Sequence, residues 1–217
     1  MLTWNEHSPL NHWNSKLAIC GATALLISVL SPLNAFAFSQ QKSCPISYSP
    51  ADLKVEWTAF KTTAKVAVSG TFKEVSVKGP NKADSVEEVL KNSQIEINGK
   101  SIHSGNEGRD HNIREAFLSY LAKDAAFKGS FSGITSTGFT LKLDFNGMQR
   151  EVPMTYSTKD GVFVATGGFD LLDFKANAAY DGIHERCKEL HKGPDGVSKT
   201  WSEIQLKVSA PITSNCK

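Results

Sequence analysis

Apolar and polar residues alternate with a period of two along most of the chain after residue 50. The clearest case is the segment 139–145, which places apolar residues on one face and polar residues on the other. The same alternation recurs at 53–58, 66–72, 95–98, 152–156, 162–164 and 204–209, and an apolar segment lies at 127–134. A period of two is that of a β-strand with one buried face. The pattern therefore predicts about eight strands.

Strands with one apolar face must hide their edges, either by closing into a barrel or by stacking two sheets. The turn-forming sequences Asn146-Gly147 and Lys159-Asp160-Gly161 lie between strand patterns and indicate antiparallel hairpins. We therefore expect a mainly β fold, an eight-stranded antiparallel barrel with two or three short helices as lids. Such a barrel has room for packed side chains or one small ligand. A two-sheet sandwich is the alternative.

Three segments have helical periodicity and supply the predicted lids. The first follows Ser85, which has capping-box spacing to Glu88. The second is predicted to begin at Asn112, where the same spacing precedes apolar residues at 113, 117, 120 and 121. The third is predicted over 171–190, with apolar residues at 172, 176, 179, 183 and 190 on one stripe. It ends in cationic residues and Gly193, which is typical of a helix C-terminus.

The N-terminal region differs in composition from the rest of the chain. Residues 17–33 carry no charge, Pro32 interrupts them, and Ala35 and Ala37 occupy the positions that a signal peptidase reads. We expect residues 1–37 to be a cleaved signal peptide and residues 38–217 to form a single exported, periplasmic domain without stable membrane insertion. A retained anchor is the alternative, because a 17-residue apolar run is marginal for a spanning helix.

The overall charge excludes one class of partner. The chain has 24 Lys and Arg residues against 22 Asp and Glu residues, which is a net charge of +2. Binding to a phosphate backbone depends on clustered cations. The sequence therefore predicts no nucleic-acid partner.

Export makes three cysteines of the expected mature domain, Cys44, Cys187 and Cys216, candidates for oxidation. In an up-and-down barrel the first and last strands pair antiparallel, and Cys44 precedes the first strand while Cys216 follows the last. We therefore expect a Cys44–Cys216 disulfide, with Cys187 reduced at the edge of the third helix. A bridge from Cys187 to either partner is the alternative, since a lid helix can bring it to either one.

Few residues have the spacing of a catalytic or metal site. His184, Cys187 and His191 have helical spacing that would present three ligands to zinc. They also border an apolar stripe, so the prediction assigns no metal ligand. The segment 129–133 resembles a nucleophile elbow, but Phe131 occupies the serine position. We therefore predict no catalytic residue and no cofactor.

The densest polar segment of the chain is 106–114. Arg109 is its candidate for binding an anionic head group, because a guanidinium forms paired hydrogen bonds with such groups. The alternative is structural: Arg109 pairs with a nearby carboxylate, and Asp110 or Asn112 caps the following helix.

Five short segments form a distinctive combination: Val55-Glu56-Trp57, Ser69–Phe72, Ile97–Phe117, Asp170–Phe174 and Trp201–Val208. Together they resemble the YceI-like family of exported polyisoprenoid-binding proteins. The resemblance spans Tyr48 to Pro211 and is most specific in the loop Ile97–Phe117, which contains an Arg-Asp pair followed by a helix. It implies a lipocalin-like antiparallel barrel whose interior holds a long isoprenoid or another amphiphilic lipid, with no established catalytic residue.

Recognition of an isoprenoid depends on apolar area, at about 0.8 kcal/mol for each buried CH₂ group. The predicted lipid-binding residues are Val55, Trp57, Val68, Phe72, Ile97, Phe139, Leu141, Phe145, Val164, Leu206 and Val208. We therefore expect an exported carrier of an isoprenoid or similar lipid. One alternative is a barrel isomerase or cyclase that uses His103, His111 or Arg109. Another is a metal- or haem-binding module built on His184 and His191.

Overall fold

The computed structural model describes residues 45–214, whose main element is an antiparallel sheet. The strands are β1 (Ile46–Tyr48), β2 (Lys54–Lys61), β3 (Val66–Phe72), β4 (Val75–Lys78), β5 (Lys82–Ala83), β6 (Gln94–Asn98), β7 (Ile102–His103), β8 (Ala126–Ser132), β9 (Gly138–Phe145), β10 (Met148–Lys159), β11 (Val162–Asp170) and β12 (Glu203–Ser214). The α-helices are α1 (Val86–Lys91), α2 (Glu107–Ala116) and α3 (Asn177–Arg186).

Antiparallel pairing closes the sheet into a ring. The pairing runs β6-β8-β9-β10-β11-β12-β2-β3, and the continuous segment β3–β4 then pairs with β7 and β6. Hydrogen bonds from Lys73 N–H to Ser101 O (3.0 Å) and from Asn98 N–H to Glu74 O (3.1 Å) bridge the interruptions between these short strands. Counting β3–β4 and β6–β7 as one strand each gives eight strands around the ring. The predicted eight-stranded antiparallel barrel is confirmed, and the two-sheet sandwich is not adopted.

Strand register distinguishes two ends of the barrel. The upper end, where β2 ends and β3 begins, also holds the β9–β10 hairpin and the long connections 104–125 and 171–202. α2 and α3 lie in these connections and contact each other, with Arg186 Nε donating to Asn112 Oδ1 at 3.0 Å. The lower end holds α1, β1 and the turns at 133–137 and 160–161. Both ends are therefore covered by helices, as the sequence predicts.

The first two predicted helices form, but the second begins earlier than its sequence pattern indicates. α1 starts after Ser85, whose side chain accepts the backbone N–H of Glu88 at 3.2 Å, as predicted. α2 starts after Asn106, whose side chain accepts the backbone N–H of Arg109 at 2.9 Å. The expected start at Asn112, with Asp110 or Asn112 as the cap, is therefore wrong. The Asn106 side chain accepts one of the N–H groups that have no partner within the helix, and the capping-box spacing further along lies inside the helix.

The predicted helix over 171–190 is not continuous. A short 3₁₀ helix spans Leu171–Phe174, Lys175 adopts a left-handed conformation (φ 52°), and a second 3₁₀ helix at Glu189–His191 follows α3. The predicted apolar stripe is also wrong, because Leu172 and Leu190 are 42% and 65% exposed. The break allows Leu171 and Phe174 to enter the core, where both are buried. Burial of these two side chains therefore outweighs the continuation of a helix.

The core under the upper helices is aromatic. The ring of Phe145 lies 4.9–6.5 Å, between centroids, from four other phenylalanine rings, those of Phe117, Phe127, Phe169 and Phe174. These four rings come from the residue directly after α2, from two strands and from the connection after β11, so their packing joins the helical cover to the barrel wall. In residues 45–214 none of the helices has the length and apolarity that crossing a membrane requires.

Candidate functional site

The barrel contains a cavity of about 760 Å³. Its wall consists of the inward faces of the strands, which contribute aliphatic and aromatic side chains from the upper end to the lower end. Within the described residues, the lining includes the cations Lys61 and Arg109 and contains no aspartate or glutamate. Lys128 also borders the cavity, but its exposed ammonium pairs with Glu96 at 3.3 Å. The chemistry of the cavity is therefore that of an apolar chamber with positive charge on its lining.

Ten of the eleven predicted lipid-binding residues line this cavity. They are Val55, Trp57, Val68, Phe72, Ile97, Phe139, Leu141, Phe145, Leu206 and Val208. Each lies on a strand whose polar residues point the other way, so the alternation indicated the correct face. The structure thus brings these side chains together in one chamber, although it does not test their contact with a lipid.

The prediction that Val164 faces the cavity is wrong. On β11 the cavity-lining residues are Phe163, Ala165 and Phe169, and Val164 lies on the opposite face beside Ser209 of β12. This strand has apolar residues on both faces, because Val162 and Val164 alternate with Phe163 and Ala165. The pattern alone therefore could not identify the inward face, and a shift of one residue exchanges the two faces.

Most of the lining residues were not predicted from the sequence. They include Phe60, Phe131, Phe163, Phe169 and Ile204 on the strands, Val86 and Val89 on α1, and Ile46 and Ile212 at the lower end. A signal for Phe131 and Ile204 was present, since both fall within predicted strands. No sequence pattern indicated the residues of α1, because the position of that helix over the barrel decides which of its side chains enter the cavity.

The upper end of the cavity meets solvent between α2 and the 3₁₀ helix Glu189–His191. Exposed residues on the lining there are Gly108 and His111 of α2 and Leu190, which is 65% exposed. Half-buried Arg109 and His191 lie on the same rim. We call this region the mouth of the cavity, and it combines apolar, neutral polar and cationic side chains.

Arg109 is held at the mouth by a chain of hydrogen bonds that ends at a buried carboxylate. Its Nε–H donates to Ser104 Oγ at 2.9 Å. Ser104 in turn donates through its hydroxyl and its backbone N–H to Asp110 Oδ1, at 2.5 and 2.9 Å. Asp110 is 1% exposed. Among residues 45–214, Arg109 therefore does not pair with a carboxylate as the structural alternative expects, because a serine separates the two charged groups.

The two histidines of the enzyme alternative occupy different environments. His111 is exposed on the lining of the mouth, beside Arg109. His103 does not line the cavity; its Nδ1 lies 3.7 Å from Asp110 Oδ2 and has no hydrogen-bond partner among residues 45–214. Of the three residues that the enzyme alternative offers, His111 and Arg109 lie on the cavity wall and His103 does not.

A metal- or haem-binding module would need His184 and His191 to direct free nitrogens at one point. Nδ1 of each hydrogen-bonds to the same Thr200 hydroxyl, at 3.0 and 2.7 Å, so these two nitrogens are not free to bind a metal. The predicted stripe of His184, Cys187 and His191 is also not on one helix, because α3 ends at Arg186. Burial, with contributions from Lys61 and His184, lowers the pKa of His191 below its usual value.

One group of possible metal ligands does occur in the described part of the chain. Atoms of His103, Glu107 and Asp110 lie within 4.8 Å of one another. The carboxylate of Asp110 already accepts hydrogen bonds from Ser104, and Glu107, whose side chain is 83% exposed, lies 3.8 Å from Arg114. Hydrogen bonds from Ser104 thus account for Asp110, and solvent and an ion pair account for Glu107, so the geometry does not require a cation.

Of the three cysteines in the disulfide prediction, the structure describes Cys187. Cys44 and Cys216 lie outside the described residues. Cys187 is free and buried, and it lies on the cavity lining. Burial raises the pKa of the Cys187 thiol, which disfavours its reactive thiolate form.

Comparisons with known proteins were made for the sequence and for the fold. A sequence model of the YceI-like domain matches residues 47–210. A polyisoprenoid-binding domain from Saccharophagus degradans, implicated in plant cell wall breakdown, has a TM-score of 0.53 at 12% identity, covering 79% of this chain and 98% of its own. BcnA from Burkholderia cenocepacia has a TM-score of 0.51 at 15% identity, covering 77% and 99%. A comparison with curated proteins found no match.

Proposed function

Because the chain belongs to the YceI-like domain family, we propose that it binds and carries a long isoprenoid or a similar amphiphilic lipid inside its barrel. The observation that carries the proposal is the apolar cavity of about 760 Å³. Ligand pockets are typically about 300–1,000 Å³, whereas close-packed interiors contain few voids larger than a water molecule. The proposal is a binding function and assigns no catalytic residue.

The energetics of such binding follow from the lining. Each CH₂ group that moves from water into the cavity contributes about 0.8 kcal/mol, so a chain of many carbons binds without directed hydrogen bonds. The aromatic side chains of Trp57, Phe139 and Phe145 supply large contact areas at low entropic cost. We propose that the apolar chain lies among these residues and that the head group stays at the mouth, beside Arg109.

The substitution Leu141→Trp tests whether the cavity holds a lipid. Leu141 lies on the lining in the middle of β9 and is 7% exposed. We expect the indole to occupy ligand space, so that the variant loses most of its bound lipid. The free energy of unfolding of the lipid-free protein should stay near that of the parent, whereas overpacking a filled core would cost about 1–3 kcal/mol.

The measurements are mass spectrometry of organic extracts from gently purified protein and urea unfolding of delipidated protein. Lys142→Trp is the matched control, because Lys142 neighbours Leu141 but does not line the cavity; it should leave both quantities close to the parent. A parent protein without any extractable lipid, together with a Leu141→Trp variant that does not fold, would contradict a carrier function.

We also propose that the protein is exported and acts in the periplasm. The support comes from the sequence of residues 1–37, which lie outside the described part of the chain. N-terminal sequencing of the protein from the cell envelope should begin at Phe38, directly after Ala37. A chain that begins at Met1 in that fraction would instead indicate a retained anchor.

A further inference from the structure

We infer that Ser104 and Asp110 are positioning residues, which hold Arg109 so that the mouth selects amphiphiles with an anionic head group. The head-group chemistry is that of a carboxylate or a phosphate. The inference rests on the proposed lipid-binding function and adds to it the charge of the ligand and the device that recognises that charge.

The carboxylate of Asp110 organises the loop before α2. It is 1% exposed, and it accepts the backbone N–H of Ser104 at 2.9 Å and the Ser104 hydroxyl proton. Because that proton is donated to Asp110, the Ser104 oxygen turns its lone pairs outward. One of them accepts Arg109 Nε–H at 2.9 Å. Asp110 thus determines the orientation of the hydroxyl, and the hydroxyl determines the orientation of the guanidinium.

This arrangement leaves the terminal amino groups of Arg109 available. A guanidinium has five N–H donors in one plane, and only Nε–H is used by a side chain of the described residues. Within residues 45–214 no carboxylate lies within 4.0 Å of this guanidinium, so its charge is not paired. Held at Nε, the group presents its two amino groups as a fork that matches two oxygens of a carboxylate or phosphate.

The charge of the lining supports the same ligand class independently. Lys61 and Arg109 lie on the wall, whose described residues include no acidic side chain. Lys61 and Arg109 are both at the upper end, where the cavity opens. An anionic head group at the mouth would therefore find cations without an opposing carboxylate, while its apolar chain extends down the barrel.

Two pairs of probes test the inference on delipidated protein that carries the full mature chain. Geranylgeranyl phosphate and geranylgeraniol share one isoprenoid chain, and palmitoleic acid and its methyl ester share one fatty chain. Binding is followed by the fluorescence of the protein's tryptophans, since Trp57 lies on the cavity wall. For each pair we compare the dissociation constant of the neutral probe with that of the anion. We expect this ratio to be about ten for at least one pair. The pair with the larger ratio shows whether the mouth prefers a phosphate or a carboxylate.

Variants assign this preference to the proposed residues. Arg109→Gln should bring the ratio close to one while the neutral probe keeps its affinity. Ser104→Ala should reduce the ratio several-fold, and Ser104→Thr, which retains the hydroxyl, should restore it. Arg114→Gln removes the same charge from α2 at a residue that does not line the cavity, so it should leave the ratio unchanged.

The outcomes separate this inference from the proposed function. If neither member of either pair binds, the carrier function itself fails. If anion and neutral partner bind equally to the parent, the cavity binds lipid and the head-group inference is overturned. If Arg109→Gln removes the preference but Ser104→Ala, folded by its circular dichroism and melting curve, retains it in full, Ser104 and Asp110 do not position the guanidinium.

Discussion

The indole of Trp57 lies against the backbone of Gly70, its partner in the β2–β3 ladder. A Cβ at position 70 would lie 2.6 Å from the Trp57 ring and 2.8 Å from the carbonyl oxygen of His103. On the other side of the barrel, a Cβ at Gly129 would lie 2.7 Å from the Leu141 side chain. Glycine at these two positions therefore allows large apolar side chains of neighbouring strands to lie flat on the wall.

His191 is the single residue whose environment most clearly predicts a dependence on pH. It lies half-buried at the mouth, its Nδ1 hydrogen-bonds to Thr200, and burial, Lys61 and His184 lower its pKa. The folded protein therefore favours the neutral imidazole, whereas the unfolded chain takes up a proton near the ordinary pKa of about 6.5. The contribution of His191 to the free energy of unfolding is therefore at its full value above a pH of about 6.5 and decreases as the pH falls below it.

The substitution His191→Asn tests this dependence. At pH 7.5 the variant should lose about 1 kcal/mol, because the hydrogen bond to Thr200 is weakened. At pH 5.5 the difference from the parent should be smaller, because asparagine does not titrate. Urea unfolding at the two pH values measures both differences. His111→Asn, at an exposed position, is the control, and an equal stability deficit for His191→Asn at both pH values would contradict the prediction.

Among the elements, α1 shows how a lid is attached to the barrel. The hydroxyl of Tyr156 on β10 donates to Glu87 Oε1 of α1, with 3.0 Å between the oxygens, and it lies 2.8 Å from the carbonyl oxygen of Thr135. Hydrogen bonds from its own backbone N–H, Ser85 and Tyr156 lower the pKa of Glu87. Val86 and Val89 of the same helix line the cavity. One polar contact thus positions an apolar cover over the lower end.

Tyr156→Phe should weaken this attachment. Tyr156 is buried, and loss of its hydroxyl should lower the free energy of unfolding by about 1–2 kcal/mol. Burial, together with Glu87, raises the pKa of Tyr156 to about 12. Because the unfolded phenol loses its proton near pH 10, this group's contribution to stability is lost as the pH rises from there towards 12.

Urea unfolding at pH 7.5 and at pH 11 measures both effects of Tyr156→Phe. The parent should lose more stability than the variant between the two pH values. Tyr120→Phe is the control, since Tyr120 is 57% exposed. A variant as stable as the parent at pH 7.5 would show that the hydroxyl does not hold α1.

Strands were more predictable from the sequence than helices, for a physical reason. A strand such as β9 can be predicted from the alternation of its own apolar and polar residues, because one face meets the barrel interior and the other meets solvent. A short lid helix is stabilised mainly by tertiary packing. The burial of Leu171 and Phe174 interrupts the predicted third helix, and the cap at Asn106 starts the second helix earlier than predicted. Neither event is visible in a helical periodicity.

At the scale of the whole molecule, the first and last strands lie side by side. β1 pairs antiparallel with β12, and Ile46 is opposite Ser214. In sequence, Cys44 precedes Ile46 by two positions and Cys216 follows Ser214 by two positions, and both cysteines lie outside the described residues. Opposite residues of antiparallel strands have Cα atoms about 4.5–5.5 Å apart, which a disulfide spans. The Cys44–Cys216 bridge itself joins residues outside the described part of the chain and stays a prediction.

Non-reducing peptide mapping of the mature protein should link Cys44 to Cys216 and leave Cys187 as a thiol. Because the closed loop contains most of the domain, the chain-entropy model assigns the bridge about 4–5 kcal/mol, although measured values are often smaller. Cys44→Ser should lower the melting temperature, and Cys187→Ser should leave the disulfide intact. A peptide that links Cys187 to either partner would contradict the prediction.

By itself, the sequence determined the class of the fold and the inward face of several strands, because alternation along a strand shows which face is turned away from water. The tertiary structure decided the features that no local sequence pattern encodes. It decided the inward face of β11, where both faces are apolar, and the interruption of the third helix. It also brought Arg109 to the mouth, through a serine and a buried carboxylate. These features depend on contacts between segments distant in sequence, whose free energies exceed the local preferences that a pattern reports.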